Sequence, residues 1–142
     1  MIAEARHRAP TLPLVIGDAH VLPFRAGAVD LVVFVATLEF LTDTDRALAD
    51  AVRVARQGLV VLALNRWSLG GLSRRYGRQR SKPLLGQARD YALPGLCTAV
   101  KGAAAEWLRR LRWSSTLFPL CSSARAPIAF GDVIGLSAHL DT

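Results

Sequence analysis

The sequence predicts an α/β fold built round a buried, largely parallel sheet. Two observations carry that reading. First, the runs Leu14–Ile16, Val29–Thr37 and Leu59–Leu64 are almost unbrokenly apolar, with only Asp30 interrupting the second near its start. A strand covered on both faces looks like this, whereas a one-sided antiparallel strand alternates. Second, a helical pattern separates the last two runs. Strand, loop, strand, helix, strand is the alternation that produces right-handed crossovers in α/β sheets.

The elements follow in order. Ile2–Arg8 looks like the tail of a helix, closed by Pro10 and Pro13. Leu14–Ile16 is expected as a short strand stopped by Gly17-Asp18. Pro23 and Gly27 mark residues 19–28 as a loop. Thr42–Arg56 is the clearest helix: Thr42 and Asp45 stand in capping-box spacing, and Leu48, Ala51, Val52 and Ala55 form a stripe at i, i+3, i+4 and i+7. Arg53 and Arg56 complement the dipole in its last turn, and Gly58 is expected to end it. A short helix from Ser68, a basic loop to Arg89, and a helix opened by Pro94 and running to about Arg110 come next. Trp113–Leu120 and Ala129–His139 are expected as two closing strands, with a turn around Ser122–Pro127.

The 142 residues fit one domain, and 51% hydrophobic against 20% charged residues argues for a packed core rather than disorder. The net charge of +7 is uneven: residues 1–73 hold seven basic and seven acidic side chains, residues 74–142 eleven and four. The densest run is Arg74, Arg75, Arg78, Arg80 and Lys82. Such a run could meet an anionic substrate, nucleic acid or a membrane surface, although only Tyr76 lies within it as an aromatic to favour nucleic acid, and a solvated loop is the plainer reading. Cys97 and Cys121 belong to no ligand pattern and read as small buried hydrophobes. His7, His20 and His139 show no metal spacing, so no metal is expected. The longest apolar stretch, Leu31–Leu38, has eight residues, against about 20 for a spanning helix. With no signal-peptide pattern, the expectation is a soluble, cytoplasmic chain without a membrane span.

One stretch is more specific. It reads Gly17-Asp18-Ala19-His20-Val21-Leu22-Pro23-Phe24, then Val29-Asp30-Leu31-Val32-Val33, then Thr37-Leu38-Glu39-Phe40-Leu41. The pattern G-D-A-x-x-L-P-F followed by x-D-x-V-x resembles the centre of class I S-adenosylmethionine-dependent methyltransferases of the type 11 group. The resemblance covers residues 1–75 well and the rest more weakly. It implies a Rossmann-like sheet with S-adenosyl-L-methionine over the carboxyl ends of the strands, where ligands bind in open α/β sheets generally.

The resemblance also implies roles. Asp18 would accept a hydrogen bond from the adenine amine, as a carboxylate can, and the Ala19 N–H would reach an adenine ring nitrogen. The plain alternative for Asp18 is a turn residue bonding its own loop. Leu22 and Phe24 would wall the adenine or pack in the core. The backbone of Val35, Ala36 and Thr37 would lie near the methionyl end. Glu39 would bind the cofactor ammonium, orient substrate or act as base, or else be a solvated residue before a helix. Phe40 stands where the family commonly has His, and Val29 where it often has Phe. Asn65, Arg66 and Trp67, after the third strand, are candidates for substrate contact: Trp67 by stacking, Arg66 by meeting an anion. Their alternative is a hydrophobic plug with a helix cap at Ser68.

The family's first strand, its G-x-G-x-G loop and the acidic residue ending its second strand have no counterpart in the sequence, and Gly70-Gly71 is its only glycine pair. Met1-Ile2-Ala3-Glu4-Ala5-Arg6 resembles the family's M-x-x-x-A-R in the helix that follows that acidic residue. The fold expected is therefore an incomplete Rossmann-like methyltransferase sheet lacking its first two strands, with a C-terminal antiparallel hairpin. Residues 1–142 form a single partial domain: 1–67 the cofactor-side core, 68–110 helices and a basic insertion, 111–142 the strand pair. The functional expectation is methyl transfer to an unidentified acceptor by a full-length form. The alternatives are a non-catalytic methyltransferase-like interaction module and a basic nucleic-acid-binding remnant; self-association through strands left unpaired by the missing segment is a separate expectation. A shortened gene product or late start codon explains the missing segment; translation upstream of Met1 should then reveal a glycine-rich loop, and its absence there would overturn that explanation.

Overall fold

The computed structural model describes residues 2–67, 89–116, 125–126 and 133–141. Helix α1 (Ile2–Arg8) is closed by an i,i+4 pair, Arg8 Nε to Glu4 Oε1 at 2.7 Å, with Glu on the favourable N-terminal side. After it the chain runs without regular structure to Gly17. The strand expected at Leu14–Ile16 does not form. These three residues are 36, 61 and 80% exposed, because an apolar strand needs a ladder to join and no described strand lies beside them.

Strand β1 (Val29–Val35) leads through a short 3₁₀ turn, η1 (Leu38–Phe40), to helix α2 (Thr44–Val54). The helix is capped by Asp43, whose Oδ1 accepts from Arg46 N at 3.0 Å, not by the Thr42–Asp45 pair; Asp43 is the residue in extended backbone immediately before the first turn. The stripe Leu48, Ala51, Val52 and Ala55 enters the core as its spacing predicts. Gly58 does not end the helix. Ala55 already adopts extended backbone and opens strand β2 (Ala55–Leu64), so Arg56, Gln57 and Gly58 belong to the sheet.

Helix α3 (Leu93–Ala103) carries its proline in the first turn, where the missing N–H costs nothing. It stops at Ala103 instead of continuing to Arg110, because residues from 108 onward are drawn into strand β3 (Leu108–Thr116). Two further strands, β4 (Arg125–Ala126) and β5 (Val133–Leu140), complete the sheet. The short helix expected at Ser68, the basic run, Cys121 and parts of both closing strands fall outside the described residues.

The sheet order is β1-β2-β5-β3-β4, with β1 and β2 parallel and the remaining neighbours antiparallel. It is the incomplete α/β sheet with a closing antiparallel pair that the sequence predicts. Helices α2 and α3 pack on one face against Phe34, Leu59, Val61, Ile134, Leu136 and Leu140. The other face carries no helix among the described residues, and Leu31, Val33 and Val35 of β1 are 50, 50 and 60% exposed on it. No described helix is long and apolar enough to cross a membrane.

Gly58 matters for a different reason than helix termination. A Cβ there would overlap the Ala138 carbonyl oxygen of β5. Gly58→Ala must spread the β2–β5 ladder, an overpacking cost of about 1–3 kcal/mol. Its melting temperature should fall by about 2–4 °C per kcal/mol; a variant melting with the parent would contradict the close approach.

Candidate cofactor site

Two parallel strands deliver two loops to one edge of the sheet. Val35 pairs with Leu62, so the turn after β1 and the turn after β2 emerge side by side. At the end of β1, Ala36 has φ 46°, the left-handed region that L side chains rarely adopt. A non-glycine residue held there costs about 1–3 kcal/mol and persists because its surroundings enforce it. The enforcing contacts are Ala36 N–H to Leu62 O at 2.9 Å and Thr37 Oγ1 to Val35 O at 3.1 Å. Val35 itself is exposed.

Glu39 is not solvated. It is 1% exposed, and Oε1 accepts from Leu64 N at 2.6 Å while its backbone oxygen accepts from Arg89 N at 2.9 Å. Its Oε2 is buried with no hydrogen-bond partner among the described residues. The carboxylate thus ties η1 to the end of β2, and neither oxygen reaches the surface.

A residue that sequence reading missed does the same from the other side. Tyr91 donates its hydroxyl to Leu38 O at 3.0 Å and shares a 2.7 Å hydrogen bond with Thr44 Oγ1. Its backbone extends β2 by one step: Tyr91 N donates to Leu64 O at 3.0 Å and Arg66 N to Tyr91 O at 2.8 Å. Only its aromatic hydroxyl, close before a proline-opened helix, signalled it in advance.

Asn65 is fully buried, and its Oδ1 accepts from Trp67 N at 3.0 Å. Trp67 is 60% exposed with the Arg66 guanidinium 5.9 Å from its ring centroid, a cation–π contact at the surface. Trp67 is therefore no hydrophobic plug. The structure brings Val35, Ala36, Thr37, Asn65, Arg66 and Trp67 to the same edge and puts Glu39 beneath them.

Asp18 and Ala19 reach this edge by a different route. Asp18 Oδ1 accepts from His20 N at 2.9 Å and lies 2.7 Å from His20 Nδ1. The His20 backbone and ring bonds hold the Asp18 carboxyl below its ordinary range. His20 Nε2 in turn accepts from Asp43 N at 3.3 Å, which fixes its proton on Nδ1 and anchors the loop to the start of α2. Asp18 bonds its own turn, yet 65% of its side chain remains open to solvent.

The rest of the loop is held by a clamp on α2 that sequence reading also missed. Asp50 Oδ2 accepts from Leu22 N at 2.6 Å. Arg53 pairs with Asp50 Oδ1 at 2.7 Å and donates to the carbonyls of Phe24, at 2.8 Å, and Leu22, at 3.2 Å. Arg56 Nε reaches Gly27 O at 2.8 Å. Leu22 is half-buried and Phe24 is 39% exposed, so neither is a core residue. The i,i+3 spacing of Asp50 and Arg53 was legible; that their targets are loop carbonyls was not. Cys97 is half-buried, and burial pushes its thiol up, which suits a packing residue.

Comparison with known proteins places this architecture. The family model described as a methyltransferase domain matches residues 1–63. A structure from Thermotoga maritima, described as an S-adenosylmethionine-dependent methyltransferase and possible histamine N-methyltransferase, superposes with TM-score 0.79 over 93% of this chain and 66% of its own, at 21% identity. Residues 1–63 match the methyltransferase domain family, and the fold is that of class I S-adenosylmethionine-dependent methyltransferases.

The fold recurs in a methyltransferase from Aquifex aeolicus, at TM-score 0.58, 11% identity and coverage of 99% of this chain and 61% of that one. A Haloferax volcanii methyltransferase solved in complex with the Trm112 methyltransferase activator gives TM-score 0.66 and 13% identity over 97% of this chain and 67% of that one. An uncharacterized 37.1 kDa protein of a Streptomyces fradiae transposon is 39% identical over 61 residues, 41% of this chain and 18% of its own length. The chain thus spans about two thirds of the methyltransferase structures it resembles. S-adenosylmethionine is the cofactor of the family.

Two substitutions test the site's framework. Glu39→Ala strips the Leu64 N–H of its acceptor and should cost about 1–3 kcal/mol, whereas Glu39→Gln keeps an acceptor and should lose less than half of that in urea melts. For Asp50, the Arg53 hydrogen bond is the largest influence and the Leu22 N–H adds to it, so the carboxyl lies below its ordinary range despite partial burial. Its folded pKa is below its unfolded one, so its contribution is complete above about pH 4 and fades as pH falls through the folded value. Asp50→Asn should cost about 1–2 kcal/mol at neutral pH, Arg53 being partly exposed and screened, and should flatten the acid limb of the stability curve below pH 4. An unchanged acid limb would show that the clamp does not hold the loop.

Proposed function

We propose that the chain holds the adenine-bearing end of S-adenosyl-L-methionine at the carboxyl edge of β1 and β2, as part of a site for methyl transfer to an acceptor of unassigned identity. The observation that carries this reading is the convergence on one edge of the open Asp18 carboxylate, the left-handed turn at Ala36 and the loop Asn65–Trp67. The fit is to one end of the cofactor. Asp18, the only carboxylate of the loop that follows Gly17 and solvent-accessible, suits an exocyclic amine, and the Ala19 N–H lies next to it in sequence. No G-x-G-x-G segment stands in the sequence to cradle the ribose and methionine.

When bound, the cofactor supplies an activated methyl group on a sulfonium. The chain's own residues position. Val35, Ala36 and Thr37 present a rigid backbone turn, preorganised by the ladder beneath them. Trp67 offers an exposed ring and Arg66 a cation toward the acceptor. Glu39, buried with one oxygen on Leu64 N, is a positioning residue that keeps the turns after β1 and β2 in register, not a base in contact with the acceptor.

A second reading rests on its own observation. Among the described residues no strand lies beside the outer edge of β1, and Leu31, Val33 and Val35 expose an apolar row on the adjoining bare face. Such an edge is a template for strand addition, which supports self-association of a non-catalytic interaction module.

Calorimetric titration with S-adenosylhomocysteine tests the first reading. Micromolar binding that weakens about tenfold in Asp18→Ala is the expected result; a folded chain that takes up none of it would overturn the reading. Sedimentation separates the second: concentration-dependent dimers abolished by Val33→Lys would establish edge pairing.

A further inference from the structure

The bare face of the sheet carries a concavity at the end away from the cofactor edge. It has a volume of about 570 Å³ and is lined by Gln57, Arg110, Arg112, Ser137 and His139 over a floor of Leu31 and Val60. The strand registers explain the grouping. Gly58 pairs with His139 and His139 with Arg110; Val60 pairs with Ser137 and Ser137 with Arg112. Directly paired residues share a face, so these two rows cross the sheet side by side. Along β3 the two arginines lie two residues apart, about 6.6–6.8 Å. Gly58 adds no side chain to its row, which leaves depth beside His139.

The charge balance of this concavity is one-sided. Arg109, at its rim, is paired with Asp141, and Arg56 reaches Asp30 at 3.4 Å. Among the described residues no carboxylate pairs with Arg110 or Arg112, and none lines the concavity. Every polar side chain in it offers a hydrogen-bond donor: two guanidinium forks, an amide, a hydroxyl and an imidazole. Arginine forks match the paired oxygens of a phosphate.

We propose that this concavity is a binding site for the phosphate group of a small phosphorylated molecule, independent of the methyl-transfer edge. The volume, within the roughly 300–1,000 Å³ of ligand sites, accommodates more than a bare phosphate, and the Leu31–Val60 floor provides apolar contact for the remainder. Single-stranded nucleic acid is the weaker fit, because no Phe, Tyr or Trp lines the concavity to stack a base.

The test is calorimetric titration of the intact chain with inorganic pyrophosphate, together with NMR observation of the His139 ring. One saturable site, movement of the His139 signals, and at least a tenfold loss of affinity in R110A/R112A are expected. Both arginines are exposed, and an unchanged circular dichroism spectrum checks that the fold is kept. R110K/R112K preserves net charge but removes the forks, and should also bind several-fold more weakly. Unsaturable heats, a still His139 ring, or equal affinity in the alanine variant would overturn the proposal by assigning the heat to general basicity. A single-stranded RNA oligomer whose affinity grows with length, needs both arginines and is not displaced by pyrophosphate would overturn it in favour of a nucleic-acid surface.

Discussion

Strand β2 is the member on which the rest of the molecule depends, because it alone joins the two halves of the sheet. On one side it pairs in parallel with β1, through Leu31–Val35 against Gly58–Leu62; on the other it pairs antiparallel with β5, from Gly58–His139 to Leu64–Val133. Its residues Leu59, Val61 and Ala63 are buried beneath α2 and α3, each burial of a large side chain being worth about 1.5–3 kcal/mol. The tolerance of this strand is small. At Gly58 the neighbouring backbone comes so near that no side chain fits, and at Leu64 its last N–H is completed by a buried glutamate. Contacts outside β2 thus constrain it at Gly58 and at its last residue, Leu64.

The candidate cofactor edge inherits its shape from that strand. The left-handed turn at Ala36 is held by Leu62 O, the 3₁₀ turn by Glu39 and Tyr91, and the Asn65–Trp67 loop by the backbone of Tyr91. The Gly17–Phe24 motif has no ladder of its own and depends on α2 through His20, Asp50 and Arg53. The candidate cofactor edge is therefore held by backbone ladder contacts where it rests on β2 and by side-chain polar contacts where it rests on α2. Acid should loosen the second part as pH falls through the lowered Asp50 value, since Asp50 must be ionised to grip Arg53.

The two faces of the sheet divide the chemistry. One is filled by helices and is apolar. The other presents the apolar row Leu31, Val33 and Val35 on β1 and a donor-lined concavity formed by β2, β3 and β5, whose floor shares Leu31 with that row. The concavity lies at the end of the sheet away from the turns after β1 and β2, which the row reaches at Val35.

Periodicity and composition by themselves determined the α/β class, the buried face of α2, the proline-opened start of α3 and the presence of two closing strands, because these follow from local spacing of apolar residues; their antiparallel pairing came from the family resemblance. The G-D-A-x-x-L-P-F stretch pointed to the methyltransferase fold. Tertiary structure alone decided the remainder. Leu14–Ile16 has the composition of a strand but no neighbour to pair with, and Arg56–Gly58 reads as a helix end yet is claimed by the β2 ladder. α3 yields its expected last turns to β3 because pairing with β5 outweighs helical propensity. Glu39 reads as a surface residue and is buried, since its acceptor oxygen meets an N–H supplied 25 residues later. Long-range partners of this kind leave no periodic trace in a sequence, whereas apolar faces do.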